Sequence, residues 1–141
     1  MAKKDQLSDI KELNAFDIQA ISSDTTTNGE IIDTQGYESV SFVFQSGTIT
    51  DGDYTVLIQE GDDSGLSDAS AVADADLLPV GTGQEAAASF DADTDDNLVT
   101  KIGYRGSKRY VRFNVVSTNT STGGTVGAIA ILGYPHESPV A

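Results

Sequence analysis

The chain has 141 residues, the size of one domain. Eight Lys and Arg stand against 22 Asp and Glu, a formal charge of −14, so phosphates repel it and neither nucleic acid nor an anionic membrane is expected as its partner. Cysteine is absent and His occurs once, which excludes disulfides, thiolate metal sites, Cys nucleophiles and any site built on two histidines.

Residues 1–14 read as an arm. Leu7, Ile10 and Leu13 recur at helical spacing, with Ser8 placed to cap a short helix. So short a helix is marginal alone, so the arm is expected to order against a partner. Its basic start has no apolar stretch behind it, unlike a signal peptide. No run approaches the roughly 18 apolar residues of a membrane span. A soluble, cytoplasmically made protein is the expectation.

From Phe16 the period changes to two. Phe16, Ile18 and Ala20 alternate with Asp17 and Gln19. Thr25–Gly29 has turn composition, and Glu30–Asp33 is a weaker strand candidate. Val40, Phe42 and Phe44 alternate with polar neighbours, as do Tyr54, Val56 and Ile58. Between these two runs Asp51-Gly52 signals a hairpin, because Gly accepts positive φ. Residues 61–97 form an acidic insertion rich in Gly, Ala and Asp, with Leu77, Leu78 and Phe90 as anchors and Leu66–Leu78 expected either as a helical turn or lying flat over the sheet edge. Leu98–Tyr104 is another weak strand. Val111, Phe113 and Val115 face away from Lys108, Tyr110 and Arg112. Asn119–Gly124 reads as a hairpin loop, and Val126–Leu132 as a strand apolar on both faces. Six or seven such strands make an all-β protein, a sandwich or barrel. The expected fold is an antiparallel β-sandwich, jelly-roll-like, over residues 15–141, with the short N-terminal arm before it.

Little in the chain has the pattern of catalytic or metal chemistry. Asp91, Asp93, Asp95 and Asp96 imitate the start of a Ca²⁺ loop, but Asp96 stands where the turn Gly is needed and Ile102 where the closing Glu is needed. His136 lies in a Pro-flanked tail beside Ser138, where neighbours point apart. No phosphate-binding Gly motif occurs. No catalytic, cofactor or metal residue is assigned.

Charge is the more informative pattern. Nineteen acidic residues lie from Glu12 to Thr100 without one Lys or Arg. All eight cations fall at Lys3, Lys4 and Lys11 or within Lys101–Arg112. In the second segment two glycines flank Arg105, and Lys108, Tyr110 and Arg112 share one strand face. Two cations around an aromatic suit an acidic protein surface. The candidate contact residues are therefore Lys3, Lys4, Leu7, Ile10, Lys11 and Leu13 in the arm, and Lys101, Arg105, Lys108, Tyr110 and Arg112 in the basic segment.

Three stretches resemble small structural proteins of tailed-bacteriophage virions: Tyr54–Gly65, Ile102–Arg112 and Ile131–Pro139. The resemblance implies a capsid decoration (cement) protein, without catalytic residues or cofactors. It would be made in the host bacterial cytoplasm and carried on the outer capsid surface. Its implied partners are the major capsid protein and copies of itself, commonly as trimers. Other virion roles (tail or head–tail connector) and a surface carbohydrate-binding module are the alternatives.

Overall fold

The computed structural model describes residues 4–91 and 93–140. Nine strands form two antiparallel sheets. They are β1 (Lys11–Ile21), β2 (Thr25–Asp33), β3 (Tyr37–Ile49), β4 (Asp53–Gly61), β5 (Ser70–Ala71), β6 (Leu77–Leu78), β7 (Val99–Tyr104), β8 (Tyr110–Thr118) and β9 (Gly124–Pro135). A short helix, α1 (Gln84–Ala88), lies in the insertion. The five-stranded sheet has the order β1-β9-β3-β7-β6, and the four-stranded sheet β2-β8-β4-β5.

Leaving out the two-residue β6, the strands pair first with last: β1 with β9, β2 with β8, β3 with β7, β4 with β5. Successive pairs fall in alternate sheets. The chain is thus one long antiparallel hairpin wound around a core, which is jelly-roll connectivity. The antiparallel, jelly-roll-like sandwich expected from the sequence is present.

The core follows the period-two residues. Val40, Phe42 and Phe44 from β3 meet Tyr54, Val56 and Ile58 from β4 and Val111, Phe113 and Val115 from β8. Leu77 and Phe90 bury and pin the insertion, and Phe90 also bridges to Tyr54. Leu78, the third expected anchor, is 37% exposed.

Several local expectations are corrected. The chain from Leu7 is not a helix beyond one 3-10 turn at Leu7–Asp9; β1 starts at Lys11, and Leu13 packs against the core. Ser8 donates its hydroxyl to Asp5 and caps nothing. Strand β1 slips register between Asn14 and Phe16 and again between Phe16 and Gln19. These bulges turn Ala15, Phe16 and Ile21 inward and leave Ile18 82% exposed, so the alternation Phe16–Ile18–Ala20 breaks. Thr25–Gly29 is strand, not turn, because β-branched threonines suit an edge paired to β8. In the insertion, by contrast, Leu66–Leu78 holds both a helical turn, the 3-10 turn at Asp74–Asp76, and chain laid along the sheet edges as β5 and β6.

Asp51-Gly52 and Asn119–Gly124 are not hairpin loops either. Each connects the two sheets. Both need the positive φ that marks hairpins, at Gly52 and Gly123. They are tied together by Asp51, whose carboxylate accepts the N–H groups of Ser121, Thr122 and Gly123 at 2.9, 3.0 and 2.8 Å. Those amides hold Asp51 below the usual carboxylate range.

Gly29 marks where the sheets nearly touch. It lies in the β2 bulge, and a Cβ there would come 2.2 Å from the backbone oxygens of Ala15 and Phe113. Neither carbonyl can retreat without breaking a sheet. Gly29→Ala is expected to cost about 2–3 kcal/mol in urea unfolding. Gly47→Ala, where the nearest atom is 3.5 Å away, should stay within about 0.5 kcal/mol of wild type.

Candidate functional site: a cation-bearing end

The winding sorts the loops into two ends. At one end β1, β3 and β8 begin while β2, β4, β7 and β9 finish. The loops 34–36 and 105–109 and the C-terminal tail gather there. At the other end lie Asp24, Asp51 and Asp53, each accepting hydrogen bonds from the 119–123 loop.

The first end collects cations from both basic segments. A cavity of about 460 Å³ is lined by Arg105, Lys108, Arg109 and His136 with Tyr104 and Glu38. A neighbouring cleft joins Lys11 to His136 and Tyr37. The turn Leu7–Asp9 is held beside them: Ser8 O accepts the Val140 N–H at 2.8 Å, and Ser138 Oγ lies 2.6 Å from the Asp9 carboxylate. Two segments about ninety residues apart in sequence thus share one end.

Two of these cations, Lys108 and Arg109, are set in place by the chain's own acids. Lys108 Nζ donates to Asp62 at 2.6 Å. Arg109 makes a two-pronged pair with Asp33, both bonds 2.8 Å, and its guanidinium lies 5.0 Å from the Tyr110 ring centre. The Arg109 hydrogen bond is the main cause that lowers the Asp33 pKa. His136 Nε2 lies 2.6 Å from Glu38. Arg105 Nε donates to Ala75 O, which ties the 105–109 loop to the insertion. All are exposed or half-exposed, so their attraction is modest and salt-screened. Their effect is positional: the donors are fixed rather than free to wander.

Beneath them lies Tyr104, 4% exposed. Its hydroxyl donates to Glu60 at 2.6 Å and accepts the Lys108 N–H at 3.0 Å. Burial first, then the Glu60 hydrogen bond, raises this phenol's pKa well above its ordinary value.

Of the other expected contact residues, Arg112 and Lys101 lie away from this end. Arg112 is on the outer face of β8, donating to Gln59, which also receives the buried Asn114 amide. Tyr110 opens the same strand. Lys101 is on the outer face of β7, exposed, with no ion pair among the described residues. Leu13 packs against the core and, like Ile10 and Lys11, is half-buried. Lys4 and Leu7 are exposed, Leu7 at 77%. Lys3 lies outside the described residues. The acidic run resembling a Ca²⁺ loop serves the backbone: Asp96 accepts the Ile49 N–H and Asp95 the Asp91 N–H. The sequence reading missed Tyr104, Glu60 and Glu38, whose contacts depend on long-range strand pairing.

No family model matches the chain, and neither does any curated protein.

Tyr104→Phe strands Glu60 and the Lys108 N–H, and should cost about 1–3 kcal/mol at neutral pH. A raised phenol pKa contributes stability that is complete below the unfolded value of 10.0 and is lost as the pH climbs through the folded one. Wild type should therefore lose stability above pH 10 more steeply than the Phe variant, read as melting temperature against pH.

Proposed function

We propose that this chain is a non-enzymatic structural protein of a tailed-phage virion, a decoration protein fixed to the outer capsid surface by its cation-bearing end. One observation carries the reading. The three stretches that bear the phage likeness meet at that end, through Glu60 and Asp62 of the first, Tyr104 to Lys108 of the second and His136 of the third. Both basic segments reach it as well.

The partner is the major capsid protein, met through carboxylates on its outer surface. Arg105 and Lys11 are the cations offered to it, since neither is engaged by a carboxylate of this chain among the described residues. Exposed Leu7 adds an apolar anchor. The Asp24, Asp51 and Asp53 end is repelled by an acidic shell, so the long-range field orients the molecule before contact. Lys108 and Arg109, paired internally, keep the loop's shape.

Arg105→Glu with Lys11→Glu leaves every ion pair among the described residues in place and removes only the exposed Arg105 hydrogen bond to Ala75 O, so the melting temperature should fall little. Occupancy on undecorated shells should fall about tenfold at low salt. Removing residues 1–9, which spares β1, should weaken binding further. Wild-type occupancy by both variants across salt concentrations would refute the proposal, and binding to glycans in place of shells would favour a carbohydrate-binding module.

A further inference from the structure

The two sheets differ in what they show to solvent. Among the described residues, every exposed large apolar side chain lies on the five-stranded sheet or in chain directly adjoining its strands. Ile18, Val99 and Ile129 are 82%, 59% and 45% exposed. The four-stranded sheet has none. Its outer face mixes polar groups such as Arg112, Gln59 and Asn114 with the half-buried Leu57 and Val116.

The register lays out the bare face in rows. One row runs Asn14, Ile129, Val43, Lys101 across β1, β9, β3 and β7. The next row toward the acidic end has Gly127, Gln45 and Val99, with Ile18 lying over Gly127. Asn14 donates to Asp17, which sets that carboxylate on the β1 edge. The face is therefore acidic at its β1 edge, apolar in the middle and basic on β7, where Lys101 lies beyond the stretch that β6 pairs with and has no ion pair among the described residues.

That polarity is self-complementary. We propose that the outer face of the five-stranded sheet is the interface with a second copy of this chain, about a two-fold axis running along the strands between β9 and β3. The rotation sets β1 of one copy over β7 of the other. Lys101 then meets the Asn14–Asp17 pair, Ile18 meets Val99, and Ile129 meets Val43, each contact occurring twice. Charge complementarity selects a second copy over an unrelated apolar partner, because each edge finds its opposite only under this operation. A face about 19 Å across four strands, about 40 Å long on β1, β9 and β3 and about 20 Å on β7, supplies an interface at the lower end of the ordinary size for two proteins. Sheets stacked with strands nearly aligned are a common packing.

Sedimentation equilibrium of the full chain, without shells, tests this independently of the capsid reading. Wild type should dimerise. Ile129→Asp should raise the dissociation constant about a hundredfold, and Lys101→Glu or Asp17→Lys alone about tenfold. Folding is checked by circular dichroism, since all three positions are exposed. The decisive arm mixes the Lys101→Glu protein with the Asp17→Lys protein. A two-fold interface restores one swapped and one native contact, so heterodimers should form at near wild-type affinity. A monomer at the highest concentrations, a trimer, or a mixture with no preference for heterodimers would overturn the proposal.

Discussion

Phe113 holds the two sheets to each other, and the rest of the molecule depends on that contact. It rises from β8 into a pocket made by Phe16, Phe42 and Phe44 of the facing sheet, with ring centres 6.4, 5.5 and 5.1 Å away. Phe90 then packs on Phe44 at 4.6 Å and brings the insertion into the same cluster. Such ring pairs contribute about 0.5–1.5 kcal/mol each beyond the area they bury. All five phenylalanines of the chain are spent here. The stacking fixes how the sheets lie on each other, and hence which loops share an end.

Two opposite surfaces follow from that geometry. The turns joining the sheets at one end are held by Asp51 accepting three amides, and at the other by Thr34, whose amide donates to Arg109 O at 2.9 Å. The acids near the 119–123 loop accept hydrogen bonds from it and fix its shape. At the far end acids fix the positions of cations. In the proposed pair the axis runs along the strands, so both cation-bearing ends point the same way. Two linked weak attachments then act as one stronger one. In the proposed attachment both Asp24, Asp51 and Asp53 ends would face away from the shell.

Much of the fold was legible because burial on one face leaves an alternation that local reading detects, as in Val40–Phe44 and Tyr54–Ile58. The failures have physical causes. A turn that crosses between sheets uses the same Gly conformations as a hairpin, so Asp51-Gly52 and Gly123 look alike in either role. The β1 bulges reverse the facing of Ile18 without any local mark. Leu13 has helical spacing with Leu7 and Ile10, yet pairing with Ala130 decides its place in a strand. At the candidate site the cations were visible as two segments. Their meeting was not, since it depends on β1 pairing with β9 and on β8 lying between β2 and β4. The partners Asp33 and Asp62 stand 76 and 46 residues from Arg109 and Lys108, beyond any local pattern.

The most direct test of the central claim is an averaged electron-microscopy image of undecorated tailed-phage shells mixed with this protein, at a resolution that separates the two ends of the sandwich. The expected result is density whose Lys11, Arg105 and His136 end abuts the shell, with the Asp24, Asp51 and Asp53 loops pointing outward. Contact through the acidic loops or the four-stranded face, or bare shells at saturating protein, would contradict it.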